Sequence, residues 1–174
     1  MHPVSIIPLF VRRLSALMPG VEFEIRNCLW QNVLSELRRC STHVAMAVIK
    51  TFTNGWATTH RFHEQVRLSC VFGCKCSVDR LEHYLTCDRL WRIVDRHGNP
   101  SSGTSVLSRI GLRDPTVSKF KSIALAFTLY HALKLSHREI VEQSLELQTI
   151  EALTALTKQL AVTHNNLLVT LIPN

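Results

Sequence analysis

Cys70-Val71-Phe72-Gly73-Cys74-Lys75-Cys76-Ser77-Val78-Asp79-Arg80-Leu81-Glu82-His83-Tyr84-Leu85-Thr86-Cys87-Asp88-Arg89-Leu90-Trp91 is the stretch around which the chain is organised. Four of the six cysteines fall in it, with His83 between them. Read as Cys70, Cys74, His83 and Cys87, the spacing is C-x3-C-x8-H-x3-C. Two thiolates close together, followed by a His and a Cys one helical turn apart, form the donor set of a tetrahedral Zn2+ site. Gly73 lets the backbone turn sharply before Cys74, so that two sulfurs aim at one point. Asp79 and Glu82 have capping-box spacing and predict a helix starting near Asp79. On such a helix His83 and Cys87 are i and i+4 and share a face.

The second ligand stays open between two cysteines. Cys76 in place of Cys74 gives C-x5-C-x6-H-x3-C with the same ligand count. Cys74 is preferred for its tighter loop and its neighbouring glycine, and Cys76 is then a spare thiol. His60 and His63 are further candidate ligands. Trp91, four residues after Cys87, reads as a core anchor packed over the site.

Outward from this segment the chain reads as helices. Gly and Pro are few and cluster as punctuation: Pro19-Gly20, Asn54-Gly55, Gly98 to Gly103, Gly111 and Pro115. Residues 4–18 predict a weakly amphipathic helix with Pro8 in its first turns. Residues 27–52 contain neither Gly nor Pro, and Trp30, Val33, Leu37, Val44, Val48 and Phe52 keep a period close to 3.6. One helix ending at Asn54-Gly55 is expected there. A short helix over 104–110 should stop at Gly111. Asp114-Pro115 reads as N-cap and N1 of the next helix. Residues 116–171 again lack Gly and Pro, and Ser136 with Glu139 marks a kink or a junction between two helices. Leu145, Ile150, Leu153, Leu156, Leu160 and Val162 give the last part an apolar face suited to the core or to a helical protein partner.

The expected fold is therefore mainly α: a helical domain with an inserted zinc knuckle and a long C-terminal helical segment. The expected organisation is an N-terminal helical region over 1–55, a zinc-binding segment over 56–97 and a C-terminal helical region over 98–174. At 174 residues the chain can bury one good core.

The Cys/His segment carries a resemblance. Asn54-Gly55-Trp56-Ala57-Thr58-Thr59-His60-Arg61, then Cys70-x-Phe72-Gly73-Cys74, then Asp79-x3-His83-Tyr84-Leu85-x-Cys87-x2-Leu90-Trp91 resembles the region downstream of the polymerase core in non-LTR retrotransposon reverse transcriptases. The resemblance covers residues 50–95, and Cys76 is extra to its pattern. It implies a Cys-Cys-His-Cys zinc segment, contact with RNA or DNA, and a nuclear location. It does not imply polymerase activity here. Two-metal polymerisation needs paired aspartates, and the chain has no Asp-Asp pair. The Pro-Asp and Asp/Glu-x-Lys pattern of the associated endonuclease is missing too. A zinc with four protein ligands has no open position for water, so the expectation is a non-catalytic module.

Charge points the same way. The net charge is +7, and residues 61–121 hold 11 Lys/Arg against 6 Asp/Glu. Arg61, Arg67, Lys75, Arg80, Arg89, Arg92 and Arg96 are the candidate phosphate contacts. Phe62, Phe72, Tyr84 and Trp91 are candidate stacking platforms for unpaired bases. No apolar run approaches 18 residues, so no membrane span is expected. The apolar stretch at 4–10 is broken by Pro8 and followed by Arg12-Arg13, which is unlike a secretory leader. A reducing, intracellular compartment is expected, where clustered cysteines favour metal over disulfide. The alternative function is a helical scaffold or protein-interaction domain that zinc merely staples.

Overall fold

The computed structural model describes residues 5–65, 67–74, 78–97 and 105–140. The apolar stripe of residues 145–162, and Lys75 and Cys76, lie outside them. The described residues are mainly α-helical: α1 Ile7–Leu17, α2 Glu22–Arg26, α3 Trp30–Arg38, α4 Thr42–Phe52, α5 Leu81–Thr86, α6 Asp88–His97, α7 Val106–Arg109 and α8 Val117–Ile140. Among the described residues the only strand-like pairing is an isolated antiparallel bridge between Ser69 and Val78. No helix among them is long and apolar enough to cross a membrane.

α1 tolerates Pro8 because the first helical turn needs no N–H from it. It buries Phe10, Leu14 and Leu17, one helical stripe. The expected single helix over 27–52 is two helices. Arg39, Cys40 and Ser41 separate α3 from α4, and the Ser41 hydroxyl caps α4 by accepting from Val44 N at 3.5 Å. The break leaves the apolar period intact. Val33 and Leu37 before it, and Val44, Val48 and Phe52 after it, all stay buried. α4 ends where expected: Asn54 takes a left-handed φ of 57°. A Cβ on Gly55 would come within 2.9 Å of the Lys50 carbonyl oxygen, so only glycine fits beneath that helix end.

α8 is the central element. It packs along α4 and touches α3 and α6. Ile123, Ala124, Leu125 and Ala126 are all buried, although consecutive residues point around the whole circumference. A helix covered on every side needs no polar face. The Thr116 hydroxyl accepts from Lys119 N at 3.2 Å, so Thr116 caps α8 in place of the expected Asp114. The Asp114 carboxylate instead binds Ser108 and the buried Lys119. α8 also continues through Ser136 and Glu139 to Ile140, so two helices do not meet at Ser136.

Two aromatic clusters fill the interior. Phe10, Trp30 and Phe52 meet with ring centroids 5.4 to 6.3 Å apart. Trp56, Tyr84, Tyr130 and Phe127 form the second, with Trp56 stacked on Tyr84 at 5.7 Å and tilted against Tyr130 at 4.9 Å. Each fully buried ring or Leu contributes roughly 1.5–3 kcal/mol of transfer free energy. The second cluster joins the end of α4, the Cys/His segment and α8. The Cys/His segment is therefore part of the core, and the buried set draws on all three expected regions.

Candidate metal centre

The knuckle is built by a turn. Gly73 N donates to Cys70 O at 2.9 Å and closes a loop around Val71 and Phe72. Gly73 has a φ of 81°, a left-handed conformation that a side chain resists. The Ser69–Val78 bridge and Asp79 N to Leu68 O at 2.9 Å hold the two flanks together. Val71 and Phe72 are buried, which anchors the loop to the core.

The later two candidate ligands, His83 and Cys87, come from α5 and the corner after it. The expected cap is not formed. Arg80 stands at the N-cap without a side-chain cap bond, and α5 ends at Thr86. Cys87 has extended backbone, φ −65° and ψ 105°, between α5 and α6. His83 and Cys87 therefore do not share one continuous helix. They still converge, because the corner swings the Cys87 sulfur toward the knuckle. Trp91 fixes that corner, donating its indole N–H to Tyr84 O at 3.0 Å from a buried position.

Cys70, Cys74, His83 and Cys87 meet with their donor atoms all within 4.8 Å of one another. This group could hold a metal ion. The Cys70 and Cys87 sulfurs are 3.9 Å apart, and those of Cys74 and Cys87 are 3.7 Å apart. A tetrahedral site with metal–sulfur bonds of about 2.3 Å has sulfur–sulfur edges of about 3.8 Å. A disulfide has sulfurs about 2.0 Å apart, and these cysteines are free thiols. The donor atoms also have the surroundings of ligands. His83 Nε2 is buried and has no hydrogen-bond partner, a costly state that a metal bond would relieve. The backbone amides of Cys74 and Phe72 favour the Cys70 thiolate, and that of Leu90 favours the Cys87 thiolate.

Acidity in the cluster is divided. The Cys87 thiol donates to Cys70 and pulls the Cys70 pKa down to about 5. The same bond, with burial, pushes the Cys87 thiol up. Burial raises Cys74. Three sulfurs in so small a volume share protons, which a bound cation would displace. Arg89 adds positive charge beside them, donating from Nη1 to Phe72 O at 3.3 Å. A Cβ on Gly73 would lie 2.7 Å from that nitrogen, so the glycine also makes room for the arginine. Cys76 lies outside the described residues, and His60 and His63 are not in the cluster.

Sequence reasoning missed a second feature, the buried polar hub beneath the site. Asp79 is fully buried. Its carboxylate accepts from Thr59 N at 2.7 Å, Tyr84 OH at 2.8 Å and Tyr130 OH at 3.0 Å. Lys134 Nζ lies 3.4 Å from it and 3.3 Å from Glu64. These partners compete with the cap and win, which is why Asp79 does not start α5. Tyr84 OH also receives Val71 N at 3.3 Å, so the hub reaches the residue next to Cys70. The available signal was Tyr130 and Lys134, polar-ended side chains four apart on a largely apolar stretch of α8.

The basic residues differ in exposure and use. Arg61, Arg67, Arg89, Arg92 and Arg96 are exposed, while Arg80 is half-buried. Arg109 lies over the Trp91 ring at 5.2 Å and donates to Leu85 O at 3.3 Å, a structural use. Of the stacking candidates, Phe72, Tyr84 and Trp91 are buried and unavailable to bases, whereas Phe62 is 56% exposed.

No protein-family model matches the chain, and no match was found among curated proteins or solved structures.

Proposed function

We propose that this chain is a non-catalytic, zinc-stapled helical module that contacts RNA or DNA backbone. The observation that carries it is the closed quartet of Cys70, Cys74, His83 and Cys87 beside exposed arginines. Zinc suits the quartet because it takes thiolate and imidazole donors in a tetrahedron and has no redox chemistry. Three thiolates and a neutral imidazole around Zn2+ leave a net charge of −1 and no position for water. That is a poor Lewis acid and a good staple. Its origin is the region downstream of the polymerase core of a non-LTR retrotransposon reverse transcriptase, as the resemblance over residues 50–95 implies. Buried aromatic rings argue for backbone contact over base stacking, and sequence preference should be weak.

The test is the affinity of metal-loaded protein for single-stranded RNA and DNA as salt is varied. Log K should fall linearly with log salt, by roughly 0.7–0.9 for each phosphate neutralised. Primer extension should be undetectable. A protein that binds neither nucleic acid at low salt supports the second reading, a zinc-stapled scaffold. That reading draws on Phe23 and Leu29, which are 77% and 69% exposed beside a groove of about 290 Å³.

A further inference from the structure

We infer that the outward face of α6 is the strip along which the nucleic-acid strand lies, with Arg92 and Arg96 contacting phosphates and Arg89 joining the strip to the metal centre. This rests on the nucleic-acid reading above and narrows it to one element. α6 buries Leu90, Trp91 and Val94. At about 100° per residue, those three occupy one side, and Arg89, Arg92 and Arg96 fall within about 60° of one another on the opposite side. All three are exposed. Three cations elsewhere serve the interior and are not offered to a strand: Lys119 is bound by Asp114, Lys134 by Asp79 and Glu64, and Arg109 by Leu85 O and the Trp91 ring. Acidic Asp88 and Asp95 border one edge of the arginine row, while Ile93 and His97 border the other. A polyanion is thereby steered to the second edge.

The row fits a phosphate ladder. From Arg89 to Arg96 the axial rise is about 10 Å, long enough for the two ends of the row to meet different phosphates of one strand. An arginine fork suits phosphate oxygens in a way a lysine point charge does not. The strip is also held by the metal site. Cys87 immediately precedes α6, and its carbonyl accepts from Trp91 N at 3.0 Å. Arg89 ties the same turn to Phe72 O in the knuckle. An occupied metal centre fixes the direction in which α6 presents its arginines.

The experiment compares two double variants of equal charge loss in the metal-loaded full chain. Arg92→Ala/Arg96→Ala removes the pair on α6, and Arg12→Ala/Arg13→Ala removes an exposed pair on α1. The probes are a labelled single-stranded RNA of mixed sequence, its DNA counterpart and an acidic polyglutamate peptide. At 0.1 M salt the α6 pair should weaken nucleic-acid binding about 25- to 60-fold and flatten the salt slope by about 1.4–1.8. The α1 pair should leave both within about twofold. Equal losses from the two pairs would mean that net charge alone attracts the strand, and would overturn the assignment. So would wild-type binding that the α6 pair leaves unchanged, with the nucleic-acid reading still standing. Polyglutamate bound as tightly as RNA would replace nucleic acid with an acidic protein partner. Absence of wild-type binding to all three probes would overturn the nucleic-acid reading itself.

Discussion

Replacing Asp79 by Ala is the sharpest probe of how the metal segment is tied to the core. The carboxylate is fully buried and accepts three hydrogen bonds, from Thr59 N, Tyr84 OH and Tyr130 OH. Its removal also leaves Lys134 Nζ, 7% exposed, with Glu64 as its remaining carboxylate partner. Breaking a buried ion pair from one side costs about 3–5 kcal/mol. The Glu64 contact holds the cost toward the lower end, and the orphaned Tyr84 hydroxyl and Thr59 N–H push it up. Against a total stability of about 5–15 kcal/mol, that is a large share. In urea, with a slope of about 2 kcal/mol per molar, the midpoint should fall by about 2 M. The assay is equilibrium denaturation of metal-loaded wild type, Asp79→Ala, Lys134→Met and the double variant. The double variant should recover part of the loss, because no unpaired buried charge remains. A loss below about 1 kcal/mol in Asp79→Ala, or strict additivity in the double variant, would refute the hub.

Two further outcomes follow from the same geometry. Gly73→Ala should loosen metal binding about 5- to 30-fold in a chelator competition, because a left-handed φ costs a side chain roughly 1–2 kcal/mol; unchanged affinity would mean that the knuckle turn is not needed. His131 accepts from Ala57 N at 3.4 Å through Nε2, and burial lowers its pKa below 6.5. Its stabilising effect is therefore complete above about pH 6.5 and is lost as pH falls through the lower folded value. His131→Gln should flatten the fall in stability below pH 6.5 relative to wild type, and an identical pH profile would contradict this.

Local chemistry made part of the fold legible. The convergence of Cys70, Cys74, His83 and Cys87, the stop at Asn54-Gly55 and the short helix before Gly111 depend on neighbours in sequence. The break at Ser41 was hidden because α3 and α4 keep one apolar period across it, and Val44 stands where a capping box would carry Glu or Gln. α2, Glu22–Arg26, is a five-residue turn with one buried side chain, Ile25, too short to show a period. The cap at Asp79 does not form because Tyr130 and Lys134, some fifty residues away and invisible to a local pattern, engage its carboxylate. Charge was legible as a count but not as a surface. Lys119, Lys134 and Arg109 serve the interior, while Arg92 and Arg96 face out. Burial also removed Phe72, Tyr84 and Trp91 from the stacking candidates, since an aromatic ring in a motif serves core and ligand equally well in sequence.

The central claim is the metal centre, and X-ray absorption at the zinc edge, combined with metal analysis, tests it most directly. Protein purified under reducing conditions should carry about one equivalent of zinc, with three sulfurs at about 2.3 Å and one nitrogen at about 2.0–2.1 Å. Cys87→Ser should abolish that signal and Cys76→Ser should keep it. Metal-free protein that is equally folded after chelation, or a shell of four sulfurs that Cys76→Ser disrupts, would contradict the assignment of Cys70, Cys74, His83 and Cys87.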